Sequence, residues 1–325
     1  MNNKFEVGGW GFVPDELKQK YPRISVSGIM CLSNSPAHYE SIYIKEELEE
    51  SKAMMLGTAI HKAVLEPENF ESAYCLEPTA PPEIVQTADD LKDLCKNNGL
   101  KVSGTKADLG IRLIEAGISF KLYDDWLVEH LNGRQILSAK EYRACTRIRD
   151  RVLESSDMKF LVSGGEAEKL GWALHSRTQT IITFRTDYFK KLQKEIMRCN
   201  QVAIDLKSMR NVEQRSFERS VFEMKMYIQA ALYTEILDAL TGNKTMFAWI
   251  AAMQAPPYLV APYVADFGMI EAGIAKYEQT LDVYRECLEV NKWPYPNSLK
   301  TVSLPSWAWN QIEEQANQEA EDATT

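Results

Sequence analysis

A chain of 325 residues, 45% apolar and 26% charged, is long enough to bury a substantial core in one large domain or two. No apolar run approaches the length of a membrane span, and Met1-Asn-Asn-Lys4 opens no signal-peptide core, so a cytoplasmic protein rather than a membrane one is expected. The net charge of −9 disfavours a nucleic-acid partner, whose phosphates call for Lys and Arg.

Residues 1–22 carry Phe5, Trp10 and Phe12 between glycines and read as an arm packed on the body or a neighbour. Ser25–Tyr39 starts a helix that Ser25 or Ser27 caps, with Ile29, Met30 and Leu32 inward and Pro36 at its end. Lys52–Leu65 is a second helix, in which Gly57 allows close approach of another backbone and His61 projects from one face. Pro78, Pro81 and Pro82 make 76–86 an extended linker. Thr87 then caps a short helix closed by Gly99, and Thr105 caps another that holds Leu109, Ile111, Leu113 and Ile114. Phe120–Ser155 is expected to be helical, with Lys140, Arg143, Arg147, Arg149 and Arg151 on a basic face.

The next stretch is the richest in chemistry. Strands are predicted at Glu168–Leu174, Thr180–Tyr188 and Gln201–Lys207, with His175–Gln179 as one turn and the polar run Lys190–Asn200 as a second connection. Asp205 and Lys207 are two apart and share a strand face. A meander of this kind gathers Glu168, Asp187, Asp205 and Lys207. Clustered carboxylates repel, and one would take up a proton unless a cation compensates them. Mg²⁺ suits this role because it prefers oxygen ligands and shares its shell with phosphate. A lysine beside it can orient or activate water. Between Arg185 and Lys225 there are ten Lys/Arg against six Asp/Glu, which suggests a locally basic channel on an acidic body.

Ser216–Leu240 reads as one long helix ended by Gly242, with Gln229 and Tyr233 four apart on one face. Met246–Ala252 and Tyr258–Ala265 are apolar strands, and Met269–Val290 is an amphipathic helix. Residues 313–325 are acidic and expected to be disordered.

Taken in order, Met30-Cys-Leu-Ser-Asn-Ser-Pro-Ala-His-Tyr39, Leu56-Gly-Thr-Ala-Ile-His61, Arg185-Thr-Asp187, Asp205-Leu-Lys207 and Gln229-Ala-Ala-Leu-Tyr233 resemble the nuclease domain of the RecE (exonuclease VIII) family, in the RecB-like group of the PD-(D/E)xK superfamily. The resemblance covers most of residues 20–310, and the long basic link between Asp187 and Asp205 departs from the pattern. It implies an α/β core with a mixed central sheet flanked by helices. It makes His61, Asp187, Asp205 and the Leu206 carbonyl metal ligands, with Glu168 serving a second metal unless Glu166 takes that role. Lys207 activates water, and Gln229 and Tyr233 hold the scissile strand. Mg²⁺ is the implied cofactor, replaceable by Mn²⁺. The six cysteines, which lack Cys-x-x-Cys spacing, fit reduced thiols and do not fit the iron–sulfur branch. The implied activity is degradation of the 5′-ended strand of linear duplex DNA in a bacterial host, by a ring-like homo-oligomer serving a RecT-like annealing protein. A structure-specific endonuclease on the same core and a non-catalytic DNA-binding module are the alternatives.

Gly99-Leu-Lys-Val-Ser-Gly-Thr-Lys106, set between two capped helices, resembles the loop of a SAP or HeH module. Lys101, Lys106 and Arg112 would then meet phosphates, as would Arg185 and, at a helix N-terminus, Ser25 and Ser27. The expected organisation is an arm and core helices over 1–80, an insertion at 87–117, the nuclease core over 118–310 and a disordered tail at 311–325.

Overall fold

The structure, a computed structural model, describes residues 4–47, 51–295, 298–299 and 301–322. The chain opens with β1 (Phe5–Trp10), α1 (Asp15–Lys20) and β2 (Arg23–Ser25), followed by α2 (Val26–Asn34) and α3 (Pro36–Tyr39). After a short π-helical turn come α4 (Lys52–Leu65), α5 (Pro67–Ala73), β3 (Tyr74–Leu76) and β4 (Ile84–Val85). Next are α6 (Ala88–Asn97), α7 (Lys106–Glu115), β5 (Lys121–Leu122), α8 (Tyr123–Leu131), β6 (Gln135–Leu137), α9 (Ala139–Glu154) and α10 (Ser156–Leu161). The central strands β7 (Glu166–His175), β8 (Thr180–Ile196) and β9 (Cys199–Met209) lead into α11 (Gln214–Glu223) and α12 (Met226–Thr241). The chain closes with β10 (Thr245–Met253), β11 (Val260–Val264), α13 (Phe267–Val290) and α14 (Ser306–Asp322).

The main sheet runs β1-β7-β8-β9-β10-β11, and β2 pairs with β8 beside β9. The β9–β10 and β2–β8 ladders are parallel and the others antiparallel, so the sheet is mixed. One face carries α2, α12 and α13 over a core that includes Ile29, Phe184, Tyr233, Phe247, Trp249 and Tyr277. The other carries α4 and α9 over Ile60, Val64, Ile148, Val202, Ile204 and Ile250. This is the α/β architecture expected.

Several boundaries differ from the expectation, each for a local reason. Lys190–Asn200 is no loop: β8 continues to Ile196, and a tight turn at Met197 and Arg198, both with positive φ, leads into β9. This ribbon projects beyond the core, so no apolar alternation marks it. Residues 120–155 form two helices around a strand, because Asn132 and Gly133 adopt left-handed backbone and end α8. The long helix expected from Ser216 is broken at Lys225, also left-handed. The tail is helical through Asp322, its Ala, Gln and Glu being strong helix formers, and 323–325 lie outside the described residues.

The insertion is larger than 87–117. Thr87 and Thr105 cap α6 and α7 through reciprocal capping boxes, as read. Yet β4 pairs with β5, and Val85, Leu91, Cys95, Leu109 and Leu113 form a separate small core backed by Phe120 and Leu122. The unit therefore spans roughly 77–134 and is closed at its base by the parallel pair β3–β6. Leu76 and Gln135 are offset by two residues across this pair, which places them about 8 Å apart. Replacing 77–134 with a short Gly/Ser bridge is expected to leave a folded core, seen as a cooperative melt with native-like secondary structure. An aggregated product would show instead that the unit covers core surface.

Candidate active site

The register between β8 and β9 runs from Lys191–Gln201 to Tyr188–Ile204 and stops there. On the same edge of β8, β2 takes over at Thr183 and continues back to Ile181. Residues 184–187 of β8 thus lie between two partners. In this gap the Leu206 N–H, without a ladder acceptor on β8, donates to Asp187 Oδ2 at 2.8 Å. The Leu206 carbonyl is met by His61 Nε2 at 2.7 Å, and His61 Nδ1 lies 3.5 Å from Asp187 Oδ2. His61 comes from α4, whose buried Ala59, Ile60, Ala63 and Val64 press the helix onto the sheet.

Asp205 and Lys207 project from β9, with Lys207 Nζ donating to Asp205 Oδ1 at 2.8 Å. Gln229 on α12 donates to the same oxygen at 2.8 Å. One turn further along α12, the Tyr233 hydroxyl donates to the Arg185 carbonyl at 2.6 Å. Ala167 pairs with Tyr188 and Lys169 with Thr186, so Glu168 stands opposite Asp187 in unbroken register, with left-handed backbone (φ of 52°). Its Oε2 forms an ion pair with Arg185, 2.8 Å from Nε. Glu166 points elsewhere, to Lys169 at 2.5 Å.

Burial, and then the nearby Asp205 charge, push the Asp187 carboxyl up to about 6 despite His61, Lys207 and the Leu206 N–H. Burial pulls the Lys207 ammonium down, but Asp205 and Asp187 more than offset it and hold it above the ordinary lysine value. Burial raises the Tyr233 phenol, which stays protonated and able to donate. The acids are thus under-compensated by the chain's own cations.

A divalent cation fits this donor set. His61, Glu168 and Asp187 each offer one ligand atom, all within 4.8 Å of one another. Asp205 is only 3% exposed, and its Oδ2 has no hydrogen-bond partner. Carboxylate and carbonyl oxygens with one imidazole suit Mg²⁺ or Mn²⁺, and no thiol is among them.

Because Asp187 is raised in the free protein, its proton favours the folded state at low pH. That contribution is complete below the unfolded value near 4 and is lost as pH rises through about 6. Cation binding requires the deprotonated acid. The rise in melting temperature on replacing EDTA with Mn²⁺ should therefore grow between pH 4 and 6 and level off above. A pH-independent rise would contradict this placement of Asp187.

Other expected residues stand apart. Ser25 is the cap of α2, accepting from Gly28 N at 3.0 Å, while Ser27 is exposed. Lys101 and Lys106 are exposed on the insertion, but Arg112 donates to the Lys101 and Ser103 carbonyls and so braces the loop. The basic run does not form one channel, because Lys194 and Arg198 sit at the hairpin tip, about 25–35 Å along the strand from Asp187. Gly57 admits no close neighbour: a Cβ there would meet nothing within 4 Å. A cavity of about 1060 Å³ is lined by Phe5, Met197, Phe247 and Phe267 and contains none of the residues of the carboxylate cluster. What sequence reasoning missed is that Arg185 pairs with Glu168; nothing in the residue pattern signals the left-handed backbone at Glu168 or the β7–β8 register that brings them together.

A mixed sheet that opens between two strands to gather two aspartates, a lysine and a glutamate, with helices on both faces, defines the PD-(D/E)xK nuclease class. The chain belongs to the PDDEXK-like domain of unknown function family (DUF3799), whose model matches residues 25–298. Among solved structures it is similar to a protein from Eubacterium rectale described as a candidate exonuclease, at 11% identity over 91% of this chain and 97% of that one, with a TM-score of 0.49. It is also similar to Rai1 of Scheffersomyces stipitis in complex with 3′-NADP⁺ and calcium ion, at 12% identity over 88% of this chain and 76% of that one, with a TM-score of 0.24. At these values the likenesses say nothing of activity. No curated protein matches the chain in sequence. Among the described residues no helix is long and apolar enough to cross a membrane.

Proposed function

We propose that the chain is a Mg²⁺-dependent exodeoxyribonuclease that degrades the 5′-ended strand of linear duplex DNA. The observation that carries the hydrolytic part is the buried Asp205, bonded through Oδ1 to Lys207 and Gln229 with Oδ2 unpartnered beside Asp187. When bound, the cation supplies charge to the phosphoryl oxygens and lowers the pKa of attacking water. Asp187, Asp205, His61, the Leu206 carbonyl and Glu168 are the groups to hold it. Lys207, an ammonium, serves as a hydrogen-bond donor that orients the water and stabilises charge on the transition state. Gln229 keeps Asp205 in its rotamer, and Tyr233 fixes the backbone of β8 at Arg185. The 5′ polarity, the 3′ tails left for an annealing protein of the RecT kind and a ring-like homo-oligomer rest on the resemblance to the RecE family.

Polarity is tested with linear duplexes labelled at one 5′ or one 3′ end, alongside a closed circle. Early release of the 5′ label with the circle intact is expected. A cut circle would mean an endonuclease, and early release of the 3′ label would reverse the polarity.

His61→Ala is expected to weaken hydrolysis in a way that raised Mg²⁺ or Mn²⁺ partly restores, since mass action offsets a lost ligand. If His61 only packs, the variant should melt lower and show no metal dependence. The insertion supplies Lys101 and Lys106 for phosphate, so a soluble chain lacking 77–134 should bind duplex DNA more weakly, with a shallower salt dependence. Unchanged affinity and salt slope would remove this role.

A further inference from the structure

Within the cluster Glu168 is ion-paired with Arg185, as Asp205 is with Lys207. Its Oε2 is engaged by Arg185 Nε at 2.8 Å, while the neighbouring Asp187 and His61 remain within ligand reach of it. Glu168 has left-handed backbone, a conformation that a glutamate rarely adopts, while Ala167 and Lys169 on either side stay paired with β8, so its position is imposed by the sheet. Arg185 is differently placed. Its side chain is 63% exposed, and Nε is the atom that meets Glu168, at 2.8 Å. Tyr233 pins the Arg185 carbonyl, so any movement of the guanidinium is confined to the side chain.

We infer that Arg185 couples metal loading to DNA by exchanging Glu168 for a phosphate of the substrate. A guanidinium binds a phosphate bidentately and more strongly than it holds a single carboxylate oxygen through Nε. Once Arg185 turns to the phosphate, Glu168 carries an uncompensated charge beside Asp187 and becomes a ligand. Cation and guanidinium compete for one carboxylate, and DNA decides the competition. The site is then fully loaded only when substrate is present. Arg185 acts here as a positioning residue, through Glu168. The inference rests on the proposed nuclease reading.

The test is a Mn²⁺ titration of the full chain, followed by the electron paramagnetic resonance of the free ion. It is done with and without a 5′-phosphorylated linear duplex carrying phosphorothioate linkages. In the native sequence the duplex should tighten Mn²⁺ binding by roughly 5–150-fold, and by linkage Mn²⁺ should tighten duplex binding equally. Arg185→Ala should bind Mn²⁺ more tightly than the native sequence in the absence of DNA, with the effect of DNA at least about fivefold smaller. Glu168→Gln should bind Mn²⁺ as the native sequence does without DNA and lose the same part of the DNA effect. An equal DNA effect in all three proteins overturns the inference, as does loss of DNA-free Mn²⁺ binding in Glu168→Gln. If the native protein neither binds nor hydrolyses DNA, the nuclease reading itself fails. Hydrolysis with unchanged coupling removes this inference alone.

Discussion

Lys207→Ala and Asp205→Ala are each expected to lower hydrolysis of linear duplex DNA about a thousandfold or more, corresponding to roughly 4 kcal/mol of barrier, while DNA binding persists. The two side chains form one unit: Lys207 Nζ and Gln229 Nε2 both donate to Asp205 Oδ1 at 2.8 Å. Removing either leaves a buried charge without its partner, which threatens stability as well as chemistry. Asp205→Asn separates the two effects, because the amide keeps the shape and an acceptor for Gln229 but not the charge. Its melting temperature should fall less than that of Asp205→Ala, with hydrolysis lost to a similar extent. Near-native hydrolysis in any of the three variants would refute this site.

Gly273→Ala is expected to be among the most damaging small changes outside the site. Gly273 lies in α13 where that helix crosses α12, and an added Cβ would sit 2.3 Å from the Tyr227 carbonyl oxygen and 2.6 Å from Ala231 Cβ. Neither obstacle is a flexible side-chain end, so the helices must separate, at a cost of about 1–3 kcal/mol for overpacking. That corresponds to a fall in melting temperature of roughly 1.5–4.5 °C for a chain of this size. The displaced helix also carries Gln229 and Tyr233, so the turnover number should drop along with stability. Gly57→Ala is the control. A Cβ there meets nothing within 4 Å, and exchanging glycine for alanine inside α4 should raise stability by about 0.5–1 kcal/mol. An unchanged melting temperature in Gly273→Ala would show that α12 and α13 are not held this closely.

What could be read from the residues follows from which forces act locally. Strands β7 to β10 were legible because each packs on one or both apolar layers, so Val, Ile and Phe mark them. The caps at Thr87 and Thr105 were legible because their partners Asp90 and Asp108 are three residues away. Asp205 and Lys207 shared a face simply through strand geometry. The outer end of β8 was not legible, since Lys191 and the whole run Gln193–Ile196 are exposed and carry no apolar alternation. The break at Lys225 carries no glycine to announce it, whereas the end of α8 falls at Asn132-Gly133, a turn pair. The site itself divides in the same way. Its residue types could be named, but the left-handed backbone at Glu168, the approach of His61 to Leu206 and the contact of Arg185 with Glu168 arise from pairing across β7, β8, β9 and α4.

The claim that most depends on all of this is metal-dependent phosphodiester hydrolysis at the Asp187–Asp205–Lys207 cluster. It is measured most directly as release of acid-soluble nucleotide from uniformly labelled linear duplex DNA by the full chain, in Mg²⁺ and in EDTA, beside Lys207→Ala. Release by the native sequence in Mg²⁺ alone, with none from Lys207→Ala, is the expected result. No release in Mg²⁺ from a folded, DNA-bound native protein would contradict it, as would equal release from Lys207→Ala.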